Sequence, residues 1–316
     1  MPKEKSIREL EDLPGIGETT AQKLRQGGYD TLEKIATAAP HELADISGIS
    51  AETAKKAIQA AKESTTVEYM TGGAVLAKRQ AIGMITTGAK GLDELIGGGV
   101  ETNAITETYG RFASGKSQIG FQLSVNVQLP KNKGGIDGNV LFLDTEGTFR
   151  PERIASMAEK AGLKAEDALA NIMVVRATTT QQQILTIERA DKLIVEKNIK
   201  LIVIDSITAL FRSEFIGRGA LGERQQKLNQ HIHKLQILAD THSLAVYITN
   251  QVMDNPGILF GDPTTPIGGN VIAHAATTRL YMRKAKEEKR VVRLVDSPSM
   301  PEGECVIKIT ANGITD

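Results

Sequence analysis

With 38 basic and 38 acidic side chains among 316 residues, the chain has zero formal net charge, so bulk electrostatics points to no nucleic-acid partner and any such surface must be local. That length allows a full core and more than one domain. A single cysteine, Cys305, excludes an intrachain disulfide; with no apolar run of about 18 residues, and no apolar core behind Met1-Pro2-Lys3-Glu4-Lys5, a cytoplasmic chain without a membrane partner is expected.

Residues 1–63 read as short helices separated by tight turns. Leu13-Pro14-Gly15-Ile16-Gly17 lies between two helical stretches, and Ile46-Ser47-Gly48-Ile49-Ser50 repeats the arrangement. Each turn leads into a helix of small residues, Thr19-Thr20-Ala21-Gln22-Lys23-Leu24 and Ala51-Glu52-Thr53-Ala54-Lys55-Lys56. The pattern resembles a helix-hairpin-helix domain, in which glycines leave N–H groups open at a helix N-terminus to receive a DNA phosphate without reading sequence. A purely structural helical module with two glycine caps fits the same residues. Residues 64–87 lose the helical pattern, and Tyr69-Met70-Thr71-Gly72-Gly73 carries a glycine pair expected to break a helix. This reads as a linker whose aromatic side chain either docks into a neighbouring subunit or folds onto its own domain.

From residue 88 onward short apolar runs alternate with helical stretches. An extended run at 102–106 is followed by Gly110-Arg111-Phe112-Ala113-Ser114-Gly115-Lys116-Ser117 and then by the apolar spacing of a helix beginning at Gln118. A glycine, four residues, then Gly-Lys-Ser is the spacing of a phosphate-cradling P-loop. Its glycines let main-chain N–H groups converge at a helix N-terminus, where Lys116 reaches the β and γ phosphates and the Ser117 hydroxyl ligates Mg²⁺. Four further runs, at 140–144, 172–176, 201–205 and 245–250, predict a mostly parallel sheet buried on both faces.

In such a sheet the chemistry sits at the strand ends. Leu201-Ile202-Val203-Ile204-Asp205 has the form of a Walker B strand, whose aspartate holds the Mg²⁺ shell. Asp144-Thr145-Glu146 supplies a carboxylate for an attacking water, and Asn250-Gln251 an amide for the γ-phosphate; plain turn residues are the alternative for both. Two glycine-rich stretches, one at Ile216-Gly217-Arg218-Gly219-Ala220 before a helix carrying Arg224, Lys227, His231 and Lys234, the other at 253–270, lie just past strand ends. A basic run from Arg279 to Arg293 reads as a terminal hairpin, either a solvated face or part of a DNA surface.

Assembled, the motifs resemble the RadA-type archaeal strand-exchange recombinases and their eukaryotic relatives in the RecA superfamily. The resemblance is carried by Asp144-Thr145-Glu146-Gly147-Thr148-Phe149-Arg150-Pro151-Glu152-Arg153, by Gly217-Arg218-Gly219 with Arg224-Gln225-Gln226-Lys227-Leu228, and by Thr249-Asn250-Gln251-Val252. Pro266-Ile267-Gly268-Gly269-Asn270, His274-Ala275 and Asp296-Ser297-Pro298 extend it over essentially the whole chain. It implies an α/β fold: a RecA-like P-loop ATPase core at 88–316, preceded by a polymerisation linker at 64–87 and a small all-α helix-hairpin-helix domain at 1–63. The implied activity is an ATP-dependent filament that coats single-stranded DNA, pairs it with a homologous duplex and exchanges strands.

The implied site makes Glu146 the catalytic base, with Lys116 and Gln251 (the γ-phosphate sensor) beside it. ATP lies on residues 110–118, Arg153 stacks on the adenine, and Pro298 of a neighbouring subunit caps it. Ser117 and Asp205 serve Mg²⁺. Arg218 and Arg224 belong to the first DNA-binding loop, and Gly268, Gly269 and Asn270 to the second. Tyr69, Gly72, His274 and Asp296 fall at the subunit boundary, the last two where ATP and monovalent cations such as K⁺ activate. Three features depart from the family pattern: Tyr69 and Gly72 replace Phe and Ala of the usual anchor, Arg111 stands where an acidic residue is usual, and Ala113 where glycine is frequent. These departures keep open a recombinase paralogue acting as a loading mediator; a DNA scaffold locked by ATP is the third reading.

Overall fold

The computed structural model describes residues 7–65, 69–254 and 264–316. The chain forms two compact units, Met1–Ala77 and Lys78–Asp316. In the first, helices α1 (Glu18–Gln26), α2 (Leu32–Thr37), α3 (Pro40–Ser47) and α4 (Ala51–Ser64) enclose a core in which Leu24, Ile35, Leu43 and Ala57 are fully buried. Capping follows the sequence: the Thr31 hydroxyl accepts the Lys34 N–H and the Ser50 hydroxyl the Thr53 N–H, each satisfying a donor that the first turn leaves unpaired. Gly15 has φ +77°, and a Cβ there would collide with the Thr53 side chain, so the turn before α1 packs directly on α4. Much of the basic charge here is spoken for. Arg25 makes a two-pronged contact with Glu11 at 2.5 and 2.8 Å, and Lys23 donates to the Ser47 carbonyl at 3.5 Å.

The stretch read as a linker carries regular structure. Helix α5 (Gly72–Gln80) starts on the glycine pair that was expected to break a helix, because the first turn demands no intrahelical N–H partner, and Thr71 caps it through a bond from the Ala74 N–H. Strand β1 (Met84–Ile85) follows and pairs antiparallel with β2 (Val100–Glu101) across α6 (Lys90–Leu95). Tyr69 is 91 % exposed.

The second unit is the expected α/β fold with a mostly parallel sheet. In chain order its remaining elements are β3 (Ala104–Gly110), α7 (Lys116–Asn126), β4 (Asn139–Asp144), α8 (Pro151–Ala161), α9 (Ala165–Ala170), β5 (Ile172–Arg176), α10 (Thr180–Glu188) and α11 (Ala190–Glu196). Then come β6 (Ile199–Asp205), α12 (Ala209–Glu214), α13 (Leu221–His242), β7 (Ala245–Asn250), β8 (Val252–Asp254) and β9 (Thr264–Pro266). The chain ends with α14 (Asn270–Ala275), β10 (Thr278–Lys284), β11 (Lys289–Asp296), β12 (Gly303–Thr310) and β13 (Gly313–Thr315). The nine-stranded sheet runs β13-β12-β11-β10-β3-β7-β6-β4-β5. Pairing from β10 to β5 is parallel and from β10 to β13 antiparallel.

Successive side chains on the central strands divide between two cores, as a period of two requires. Val140, Phe142, Leu201, Val203 and Tyr247 meet α7 and α8 through Phe121, Ile154 and Met157. Leu141, Leu143, Ile202, Ile204, Val246 and Ile248 meet α10 to α13 through Ile187, Phe211, Ile232 and Leu235. Both faces are covered, which is why these strands read as continuous apolar runs. The basic hairpin is more than a solvated face: Arg279 on β10 is nearly buried and bonds the fully buried Glu107 of β3 at 2.7 Å. No helix among the described residues is long and apolar enough to cross a membrane.

His231 faces the second core while His233, two residues on, is exposed. Burial pushes the His231 imidazole from 6.5 down to about 4. The unfolded chain therefore takes up a proton near pH 6.5 that the folded chain refuses until about pH 4. Stability is full above pH 6.5 and falls through that window by on the order of 3 kcal/mol. Replacement of His231 by Gln should flatten the unfolding free energy against pH between 6.5 and 4 in denaturant titrations; parallel curves for the two proteins would exclude this linkage.

Candidate functional site

Strand β3 delivers the chain to Gly110, and α7 leaves the loop at Lys116 with Gly115 as its N-cap and no side-chain cap. The first N–H groups of α7 thus remain available to an anion. Gly115 has φ +106°, a left-handed conformation that favours glycine, and a Cβ there would press on the end of the Ile309 side chain of β12. Beneath the loop the buried Tyr247 hydroxyl donates to the Lys116 carbonyl at 3.0 Å. The Lys116 ammonium folds back over the loop, donating to the carbonyls of Gly110 at 2.9 Å and Arg111 at 3.0 Å. Burial lowers its pKa, and the charges of Asp205 and Glu146 oppose that shift.

Three strand ends stand beside the loop, in the sheet order β3, β7, β6, β4. Asp205 closes β6, and burial raises its pKa while hydrogen bonds from Ser117, Thr249 and Thr148 favour the carboxylate. Glu146 follows β4. Its Oε1 accepts bonds from the Ser206 hydroxyl at 2.8 Å and the Gln251 amide at 2.7 Å, so residues 105 positions apart meet. The turn that aims Glu146 is held by Asp144, whose carboxylate accepts the N–H groups of Glu146, Gly147, Thr148 and Phe149. Lys116, Ser117, Glu146, Thr148, Asp205, Thr249 and Gln251 line a cleft of about 750 Å³.

The donor set suits a magnesium nucleotide. Ser117 and Asp205 offer adjacent hard oxygens at the loop, and Mg²⁺ takes few protein ligands because it retains water. Uncapped N–H groups and a half-buried ammonium suit the polyphosphate. From the loop, Gly110, Arg111, Phe112, Ala113, Gly115, Lys116, Ser117 and Gln118 line the cleft; Ser114 is buried behind it. Arg153 stands behind Gln118, donating to that side chain at 2.8 Å and to the carbonyls of Thr310 and Ala311, and Pro298 is exposed elsewhere. Sequence reasoning missed Thr148, Thr249, Asp254, Arg290 and Ile309 as cleft residues. Thr148 and Thr249 sat inside quoted motifs, whereas nothing local marks an isoleucine on β12.

The strand end of β7 is also tied to the segment expected to hold DNA. Asn250 donates to Glu107 at 2.8 Å and to the Ile267 carbonyl at 2.6 Å, and accepts from the Thr208 hydroxyl at 2.8 Å. The Ile267 N–H returns to the Gln251 carbonyl at 3.0 Å. Gly268, Gly269 and Asn270 come next and enter α14, on which His274 is exposed. Asp296, also exposed, ends β11. Arg224 is half-buried on α13, where Lys227 pairs with Glu223 at 2.9 Å and Lys234 with Asp191 at 2.8 Å. The Arg218 side chain and residues 255–263 of the second loop lie outside the described residues.

A P-loop, a carboxylate-ended strand and a glutamine that closes on the neighbouring glutamate are grounds for comparison with known families, and the Rad51 family model matches residues 78–316. The chain belongs to the Rad51 family. A second model, described as a SAM-like helix-hairpin-helix tandem, matches residues 7–63. As a Rad51-family protein with this tandem, it is a RecA-like recombinase with ATP binding, DNA binding and a part in recombination and repair.

One feature of this Rad51-family loop carries strain. Ala113 has φ +59°, a left-handed conformation that costs a residue with a Cβ about 1–2 kcal/mol. Ala113→Gly should raise the melting temperature by about 2–6 °C, the shift that such a free energy gives in a unit of this size, as calorimetry can measure. A lower melting temperature would show that the relieved strain is outweighed by the greater unfolded-state entropy that glycine brings.

Proposed function

We propose that this protein is a RadA-type recombinase that polymerises on single-stranded DNA and, using ATP, pairs it with homologous duplex and exchanges strands. The bond between Glu146 and Gln251 carries the reading. It joins the carboxylate that would activate water to the side chain that would report the γ-phosphate, on the strand whose end is bonded to the Ile267 stem of the second DNA segment.

In the proposed reaction Lys116 and the N–H groups of residues 110–118 hold the triphosphate, while Ser117 and Asp205 hold Mg²⁺. When bound, Mg²⁺ offsets charge on the phosphoryl oxygens. Glu146 orients a water and accepts its proton as the water attacks the γ-phosphoryl, whose bond to the β–γ bridging oxygen breaks so that ADP leaves and inorganic phosphate forms. Gln251 is bonded to Glu146 and exchanges that partner for the γ-phosphate. Because the Gln251 carbonyl and the Asn250 amide hold Ile267, movement of Gln251 is transmitted to Gly268, Gly269 and Asn270. Arg218 and Arg224 supply charge to the DNA backbone. Arg153 and the neighbour's Pro298 enclose the adenine, and Tyr69 and Gly72 anchor the neighbour. His274 and Asp296 meet across the protomer boundary with K⁺, placing ATP between protomers. Such a protein works in the cytoplasm, on the nucleoid, with paralogues assisting its loading.

A mediator paralogue is the second reading, favoured by the Arg111 departure: that side chain bonds Asp254 at 2.6 Å. Strand-exchange assays separate the two. The recombinase reading expects exchange by the intact protein, none by Lys116→Ala, and filaments that assemble but fail to recycle for Glu146→Gln, with hydrolysis down by about 100-fold or more. No pairing of homologous strands under any nucleotide or salt would favour the mediator. Arg224→Ala should weaken DNA binding and reduce the slope of log affinity against log salt by about one unit, since one fewer counterion is released. An unchanged slope would remove Arg224 from the DNA surface.

A further inference from the structure

Arg111 and Asp254 stand on opposite lips of the nucleotide cleft. Arg111 is the second residue of the P-loop, and the Lys116 ammonium donates to its carbonyl at 3.0 Å, so its backbone lies at the phosphate end. Asp254 ends β8, three residues beyond Gln251, and pairs in register with Thr264 of β9. The guanidinium Nη2 meets Asp254 Oδ1 at 2.6 Å, with both side chains 60 % exposed. This contact bridges the P-loop and the end of strand β8, which pairs with β9 on the chain segment that continues into Gly268.

An ion pair this exposed is weak, because water and salt screen it and two long side chains must be ordered to make it. The terminal phosphate of a triphosphate brings more charge to the same end of the cleft and accepts bonds in the geometry that a guanidinium donates. We propose that Arg111 is shared between Asp254 and the terminal phosphate of a bound nucleoside triphosphate, so that nucleotide and hairpin compete for one guanidinium. The inference rests on the proposed nucleotide reading. A triphosphate draws Arg111 away and frees the hairpin from the P-loop; a diphosphate, which lacks the competing group, leaves the pair closed. Linkage makes the effect reciprocal: a ligand that pulls Asp254 away tightens triphosphate binding by the same factor.

The test is a double-mutant cycle with Asp254→Asn and Arg111→Gln in the full chain, titrated with fluorescent ATP and ADP analogues plus Mg²⁺ and without DNA. Both positions are exposed, so their substitution leaves folding nearly unchanged, which a melting curve checks. Asp254→Asn should bind the triphosphate about two- to fivefold more tightly than the intact protein, the range an exposed ion pair can supply. Its diphosphate affinity should not move, and Arg111→Gln should abolish the gain. Equal triphosphate affinities with and without Asp254 would overturn the proposal. So would a gain that persists in the Arg111→Gln background or extends equally to the diphosphate, since Asp254 would then act only by repelling anions. Failure of the intact protein to bind either analogue is a separate outcome that overturns the nucleotide reading and this inference with it.

Discussion

Strand β7 lies between β3 and β6, and that placement is the constraint on which the rest of the molecule depends. Parallel pairing aligns Tyr109 with Asn250 and Ile204 with Ile248, so three strands end level beside the P-loop. With β4 next to β6, Asp144 stands opposite Asp205, and the turn after it turns Glu146 toward Gln251. None of these side chains has to reach far. The cleft is a consequence of where the backbone stops, and buried strands on both sides keep those stops fixed.

The interior just below this edge is unusually polar. Glu107 is fully buried within the sheet, with Arg279 on one oxygen and Asn250 on the other. A buried ion pair of this kind contributes little net stability, because desolvation cancels most of the attraction, but loss of either partner leaves an uncompensated charge. Its effect is to fix geometry: β10, β3, β7 and the Ile267 stem hold one relative position. An apolar cluster in the same place would tolerate sliding that a network with every bond satisfied does not. The nucleotide edge and the glycine-rich stem are thereby joined through shared hydrogen bonds.

The helical unit at the N-terminus obeys different physics. Its core mixes alanines with leucines and isoleucines, so helices approach closely and glycines such as Gly15 become packing residues. Three of its basic side chains pair with local acids, Arg25 with Glu11, Lys34 with Asp30 and Lys56 with Glu52. Any anion it holds is met chiefly by main-chain groups at helix starts, in keeping with a module that reads no sequence.

The P-loop, the Walker B strand, the four core strands and the helix-hairpin-helix pair were readable in the residues alone because each is set by local chemistry: glycine spacing, a period of two, or a turn with a cap. Strand-end position offered Glu146 and Gln251 as catalytic carboxylate and phosphate-facing amide with plain turn residues as the alternative, and family resemblance chose between the two. What the chain order withheld was adjacency. Strand β7 pairs with β3 across more than a hundred residues, which lets Gln251 bond Glu146 and Arg111 find Asp254, while the β10, β11 and β12 pairings on the other side of β3 set Ile309 over Gly115. Likewise Gly72 and Gly73 look like helix breakers by propensity, yet they begin α5, since a helix start costs glycine little where no N–H partner is required. Local propensity and motif spacing are properties of neighbours in sequence. Sheet order and buried ion pairs arise from burying both faces of one sheet, a condition that only the folded whole can meet.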